Sequence, residues 1–291
     1  MTDELPRIDL YTPRPMVTMA LQRLGKRLAA QEQLSPEENG LYEDLIRDAK
    51  DRVVGVQEFC ESMFERSQQW HPRLQSADIV GRVKTLNTLS EKLARTPQEK
   101  LPAIHDVAGV RVVADMSLME QRAAVSLLSK SFDKIVSTSR PSRVIDRLKH
   151  PMHGYRAMHL IVWPGGRPVE IQVRTELQHA WAQYMEVIGD RWGREARYGL
   201  PVVGTNARQR RSREEVITWM KTLSEAIAAY EEAVRNTGLL HLKIDDSEFV
   251  GIDPEVLREL REKAEQTDIK LAGTRDTLRT LLSSLPKNIA G

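Results

Sequence analysis

The chain has 291 residues, enough for one large domain or for a core with helical additions. Its hydrophobic share of 41% and charged share of 29% exclude a disordered class, and 5% aromatics suits a helix-rich protein better than an all-β one. The net charge of +2 points to no partner, and the single cysteine, Cys60, excludes an intrachain disulfide and a cysteine-based zinc site. No window approaches the roughly 18 uninterrupted apolar residues of a membrane span. The N-terminal MTDELPRIDLYTPRP lacks the basic start and apolar run of a secretory signal, so a cytoplasmic protein is expected.

In chain order, residues 16–30 carry apolar positions at helical spacing, preceded by Pro13 and Pro15. Ser35-Pro36-Glu37-Glu38 reads as a helix cap, and an amphipathic helix is expected from there to about Arg66, with Cys60 packed inside it. The pattern breaks between His71 and Ala77, and a short helix is expected at 85–95. Residues 107–113 are apolar and β-branched, a buried strand. A helix is expected over 117–130 and a strand over 133–138. Residues 159–163 and 169–174, joined by Pro164-Gly165-Gly166-Arg167-Pro168, form an expected antiparallel hairpin. Helices follow over 176–189, over 211–236 and from Asp253 towards Leu285. The fold class is therefore α+β: a mixed sheet flanked by helices, with helical N- and C-terminal extensions. The expected divisions are residues 1–75, 76–195 and 196–291.

Four stretches carry candidate chemistry. Asp106 stands at the mouth of the 107–113 strand, and Glu170 shares one strand face with Gln172 and Arg174. Each alone is as readily a surface carboxylate; together, on neighbouring strands, they supply hard oxygen ligands for magnesium beside a polyphosphate. Lys84, Thr88 and Lys92 recur every fourth residue, so one cationic helix face is expected there. His153-Gly154-Tyr155-Arg156-Ala157-Met158-His159 offers a stacking ring, several donors and a glycine that lets a ligand approach the backbone. His105-Asp106 spells the dyad of metal-dependent phosphohydrolases, but the further histidines those sites need do not surround it. The basic clusters at 208–213 and at Arg23, Lys26 and Arg27 are either solvated faces or nucleic-acid contacts.

In this order, RVKTLNTLSEKL (82–93), HDVAGVRVV (105–113), HGYRAMH (153–159), VEIQVRT (169–175) and HAWA (179–182) resemble the synthetase domain of the RelA/SpoT family, and more closely its small alarmone synthetases. The resemblance implies a nucleotidyltransferase-like fold and, often, a homo-oligomer. It implies transfer of diphosphate from ATP to the 3′-hydroxyl of GDP or GTP, with release of AMP. By position, Arg82 and Arg111 resemble the pair that sandwiches adenine. Lys84, Thr88, Lys92 and Arg95 resemble the binders of the ATP phosphates. Asp106 and Glu170 resemble the Mg2+ ligands, and Glu170 also the group that takes the proton from the attacking hydroxyl. Tyr155 resembles the ring that stacks on guanine, while His159, Gln172 and His179 resemble acceptor-side polar groups.

The loop before Tyr155 departs from the family. It is about one residue shorter, and the lysine expected near the acceptor phosphates is missing or displaced to Lys149. Met185-Glu186 also replaces the usual Glu-His pair. The donor half therefore looks intact and the acceptor half altered. Two further readings follow: pyrophosphorylation of the tRNA 3′ end, or a non-catalytic nucleotide binder.

Overall fold

The computed structural model describes residues 16–66, 76–135, 140–193, 196, 206–245 and 253–285. Two units are distinguished by their internal packing. The first comprises Met1–Asp115, Arg122–Asp146 and Met158–Val173; the second comprises Met116–Gln121, Arg147–Ala157 and Arg174–Gly291.

The first unit is built on a five-stranded mixed sheet, in the order β1-β2-β5-β4-β3. The strands are β1 (Asp78–Val83), β2 (Ala108–Ala114), β3 (Arg143–Asp146), β4 (Met158–Val162) and β5 (Val169–Thr175). The expected hairpin is β4–β5, registered from Met158 opposite Val173 to Val162 opposite Val169. One face of it is wholly apolar: Leu160, Val162, Ile171 and Val173 are fully buried. Such a face must be covered, and helices cover it. Helices α1 (Thr18–Ala29), α2 (Pro36–Arg66), α3 (Leu86–Arg95) and α4 (Leu118–Ile135) lie around the strands. The rings of Phe59 in α2 and Phe132 in α4 meet edge-on, 5.6 Å apart.

Helix α2 starts at the expected cap. Ser35 Oγ accepts the Glu38 amide (3.2 Å), and the Glu38 carboxylate accepts the Ser35 amide (2.8 Å). Cys60 is buried in this helix; burial first, and the Glu61 charge second, push its thiol pKa up, as suits inert packing. At β1 the helix comes close enough to require glycine. A Cβ on Gly81 would stand 2.3 Å from Val53 Cγ1, while the Gly81 amide donates to Gln57 Oε1 (3.0 Å). Gly81→Ala should therefore cost about 1–3 kcal/mol through overpacking. A thermal midpoint equal to that of the wild type would disprove this close approach.

Three expectations are corrected. Residues 78–83 form a strand that the sequence did not announce, and so do 143–146. Both are edge strands that are short or of mixed polarity, so neither carries a run of apolar residues. The strand expected at 133–138 is not formed over 133–135, which continue α4; residues 136–138 lie outside the described residues. The reason is tertiary, since Phe132 prolongs the buried helical face.

The second unit holds α5 (Glu176–Trp192), α6 (Ala207–Asp245) and α7 (Pro254–Ser284). Their core includes Trp181, Ile188, Met220, Ile227 and Leu278, and Trp181 Nε1 donates to the Met220 carbonyl (2.7 Å). Thr175 opens α5 with a capping box to Gln178. The Thr175 hydroxyl also donates to buried Glu231 (2.5 Å), which accepts a second bond from Gln178 Nε2 (2.9 Å). Burial raises the Glu231 pKa, and the bonds from Thr175 and Gln178 with the charge of Arg156 only partly oppose it. The folded state thus holds a proton that the unfolded chain releases, so this group costs stability progressively as pH rises above the ordinary carboxylate range. Glu231→Gln should gain thermal stability relative to wild type as pH rises from 4 to 8. A pH-independent difference would count against this burial.

Among the described residues, no helix is long and apolar enough to cross a membrane.

Candidate active site

The strand register assembles the site on one face of the first unit's sheet. Glu170 pairs with Ile161, and Gln172 with His159, so the four side chains share the face opposite the apolar one. Glu170 is buried, and both its oxygens are engaged. His159 Nδ1 lies 2.7 Å from Oε1, and Gln172 Nε2 donates to Oε2 at 2.6 Å. Burial pushes its pKa up, but the bond and charge of His159, the bond from Gln172 and the charge of Arg82 together outweigh it. The net result is a carboxyl lowered to about 2. Its charge therefore stabilises the fold above the ordinary carboxylate range and is lost only as pH falls from about 4.5 towards 2.

Asp106 sits in the turn before β2 and meets two lysines. Lys92 Nζ donates to Oδ1 at 2.7 Å, and Lys84 Nζ lies 3.2 Å from Oδ2. The expected helical stripe is corrected here. Lys84 precedes α3, between the end of β1 and the cap residue Thr85. It meets Lys92 at one carboxylate because β1 and α3 turn around Asp106, not because the two share a helix face. Thr88 spends its hydroxyl on the Thr85 carbonyl (2.9 Å), and Arg95 lies exposed in the last turn of α3.

Arg82 pairs with Gly109 and Arg111 with Val80, so the two arginines are diagonal neighbours on one sheet face. Such neighbours lie roughly 7–8 Å apart, room for one flat base between two planar cations. His105 stands edge-on to Trp163 (6.2 Å), and the guanidinium of Arg140 lies 4.2 Å from the centre of the same indole. Burial lowers the His105 pKa, Glu170 opposes this, and Arg143, Lys92 and Arg140 reinforce it, so all four charged groups act on one ring.

The loop over 147–157, with Gly154 and Tyr155, belongs to the second unit. Gly154 has φ of 90°, and a Cβ there would meet Trp181 at 2.9 Å, so both conformation and space demand glycine. Its carbonyl accepts the Ser224 hydroxyl (2.5 Å), and Arg156 Nε donates to Ser224 Oγ (3.3 Å). Tyr155 accepts from Arg174 Nη2 (2.8 Å), whose guanidinium lies 5.0 Å from the ring centre. Lys149 is exposed in the turn at 147–150, and His179 is half-buried on α5. Sequence reasoning missed Arg140, Arg143 and Ser224, whereas Arg156 was named in the Gly-Tyr-Arg stretch and Arg174 on the strand face of Glu170 and Gln172.

Residues 81–187 match the family model described as the region found in RelA/SpoT proteins. The central part of the chain is thus similar to the region that RelA/SpoT proteins share. An uncharacterised protein of Mycobacterium tuberculosis is 33% identical over 202 residues, 66% of this chain and 65% of that protein. The chain thus matches just under two thirds of that relative's length. A GTP pyrophosphokinase of Streptomyces coelicolor is 25% identical over 170 residues, 57% of this chain and 19% of that enzyme. Among solved structures, the small alarmone synthetase 1 of Bacillus subtilis is similar at 17% identity and a TM-score of 0.47, covering 68% of this chain and 99% of that one. Outside the matched region lie α1, α2, α6 and α7.

The residues present fit a magnesium ion. Asp106 and Glu170 are hard oxygen donors at neighbouring strands β2 and β5, and Glu170 is held ionised. Among the described residues no group of three or more His, Cys, Asp or Glu side chains that could hold a metal ion forms.

Proposed function

We propose that the chain transfers the β,γ-diphosphate of ATP to the ribose 3′-hydroxyl of GDP or GTP, releasing AMP. The observation that carries this reading is the meeting of Lys84 and Lys92 at Asp106, in the unit that holds ionised Glu170. Cations and carboxylates in that arrangement suit a polyphosphate and its ion. The relatives named for GTP pyrophosphokinase activity support the same chemistry.

In this mechanism Arg82 and Arg111 hold the adenine, and Lys84 and Lys92 exchange Asp106 for phosphate oxygens. Asp106 and Glu170 would hold magnesium, which when bound neutralises the triphosphate and the charge that develops at the transferring phosphorus. The acceptor oxygen bonds to the β-phosphorus, the α–β bridging bond breaks, and the hydroxyl proton passes to water. A carboxylate held near 2 takes protons poorly, so Glu170 acts here as an aligning anion rather than as the base. Positioning and charge neutralisation supply the rate.

The test is incubation with γ-labelled ATP, magnesium, and GDP, GTP, AMP or deacylated tRNA. Label in guanosine products is expected. Label in tRNA alone would replace the acceptor. ATP binding without product from any acceptor would leave a nucleotide-binding protein.

A further inference from the structure

The β3 edge of the sheet carries a second cationic pair, outside the groups that face ATP in the proposed reading. Arg143 on β3 pairs with Ile161 on β4, and Ile161 pairs with Glu170 on β5. Directly paired residues point to the same side, so Arg143 and Glu170 lie in one row on one face. At the usual strand spacing their backbones stand roughly 10 Å apart. Arg140, three residues earlier, is fixed by its guanidinium over Trp163, 4.2 Å from the ring centre, and Trp163 meets His105, the neighbour of Asp106. A guanidinium held on an indole is pre-ordered, so binding an anion costs it little further entropy.

Strand order separates the two cationic groups. Arg82, Lys84 and Lys92 come from the β1–α3 side, and Arg140 and Arg143 from the β3 side, with Glu170 on the middle strand. One polyphosphate bound at Lys84 and Lys92 leaves the β3 pair facing a second anion.

We propose that Arg140 and Arg143 bind the 5′-diphosphate of the acceptor nucleotide. The inference rests on the transfer reading above and deepens it. A ribose whose 3′-hydroxyl faces Glu170 carries its 5′-phosphates on the far side of the sugar; with the donor phosphates at Lys84 and Lys92, the proposed acceptor extends along the row towards Arg143. The pair thereby selects a free nucleoside diphosphate or triphosphate over an acceptor without 5′-phosphates.

The test is calorimetric titration of the full chain with magnesium and, separately, GDP, guanosine and a non-hydrolysable ATP analogue. Wild type should bind GDP more tightly than guanosine. Arg140→Ala with Arg143→Ala should weaken GDP at least about tenfold, the loss expected for charge-assisted contacts, and leave the ATP analogue within about twofold. Arg143→Ala alone, on an exposed edge strand, should show a smaller loss in the same direction with an unchanged thermal midpoint. Arg143→Lys should recover part of it. Equal loss of GDP and the ATP analogue would place the arginines with the donor and overturn the proposal. So would unchanged GDP affinity in the double variant, or wild-type binding of GDP no tighter than of guanosine. GDP binding that depends on the pair, with no labelled product in the transfer assay, would uphold the subsite and reject the transfer reading.

Discussion

Replacing Glu170 by Gln should lower diphosphate transfer by roughly 10²–10³-fold, the scale seen when one charge-stabilising group is removed from a preorganised site. The substitution keeps the volume and leaves Gln172 and His159 a neutral partner, so the backbone of β5 has no reason to move. What disappears is the negative charge that His159 and Arg82 hold in place at 2.7 Å and at longer range. That charge is one of the two anions that hold the metal and align the acceptor hydroxyl in the proposed mechanism. The measurement is single-turnover transfer from labelled ATP, paired with thermal denaturation. A Glu170→Gln protein keeping more than a tenth of wild-type turnover would remove Glu170 from the mechanism. A folded protein with lost turnover would leave it there.

Asp48→Ala should cost about 3–5 kcal/mol of stability, because it strands buried Arg52 and half-buried Arg167 rather than deleting a surface pair. Asp48 is fully buried in α2 and takes Arg52 Nη2 at 2.9 Å and Arg167 Nη1 at 3.1 Å on one oxygen. Arg52, itself buried, also donates to the Pro168 carbonyl at 2.8 Å. Pro168 lies two residues before Glu170, so this network fixes the hairpin turn from which the site strand starts. Urea unfolding with near-ultraviolet circular dichroism reads the cost. A loss below about 1 kcal/mol would mean that water reaches the arginines and that the network does not anchor the turn. Activity should fall with the lost stability at 37 °C and return on cooling.

The two predictions differ in how far the sequence foretold them. Glu170 was legible because its strand alternates, which gave it a face and two polar neighbours. Asp106 was legible because an apolar β-branched run begins just after it. Asp48 was not, since a charged residue in an amphipathic helix reads as solvated until Arg52, one turn on, and Arg167, from the hairpin turn, close over it.

Local pattern thus determined the long helices, the β4–β5 hairpin and the α+β class, because burial of one face leaves a period of 3.6 or 2 in the chain. Short range also determined the caps at Ser35 and Thr175. Edge strands β1 and β3 escaped, since half-exposed strands of four to six residues carry too few apolar positions to show a period. Only the tertiary structure decided which charges meet. Lys84 and Lys92 reach Asp106 from a strand end and a helix, and Arg143 joins the row of Glu170 through β4. Those distances depend on strand order and register, which are set by the packing of the whole sheet rather than by any one stretch of residues.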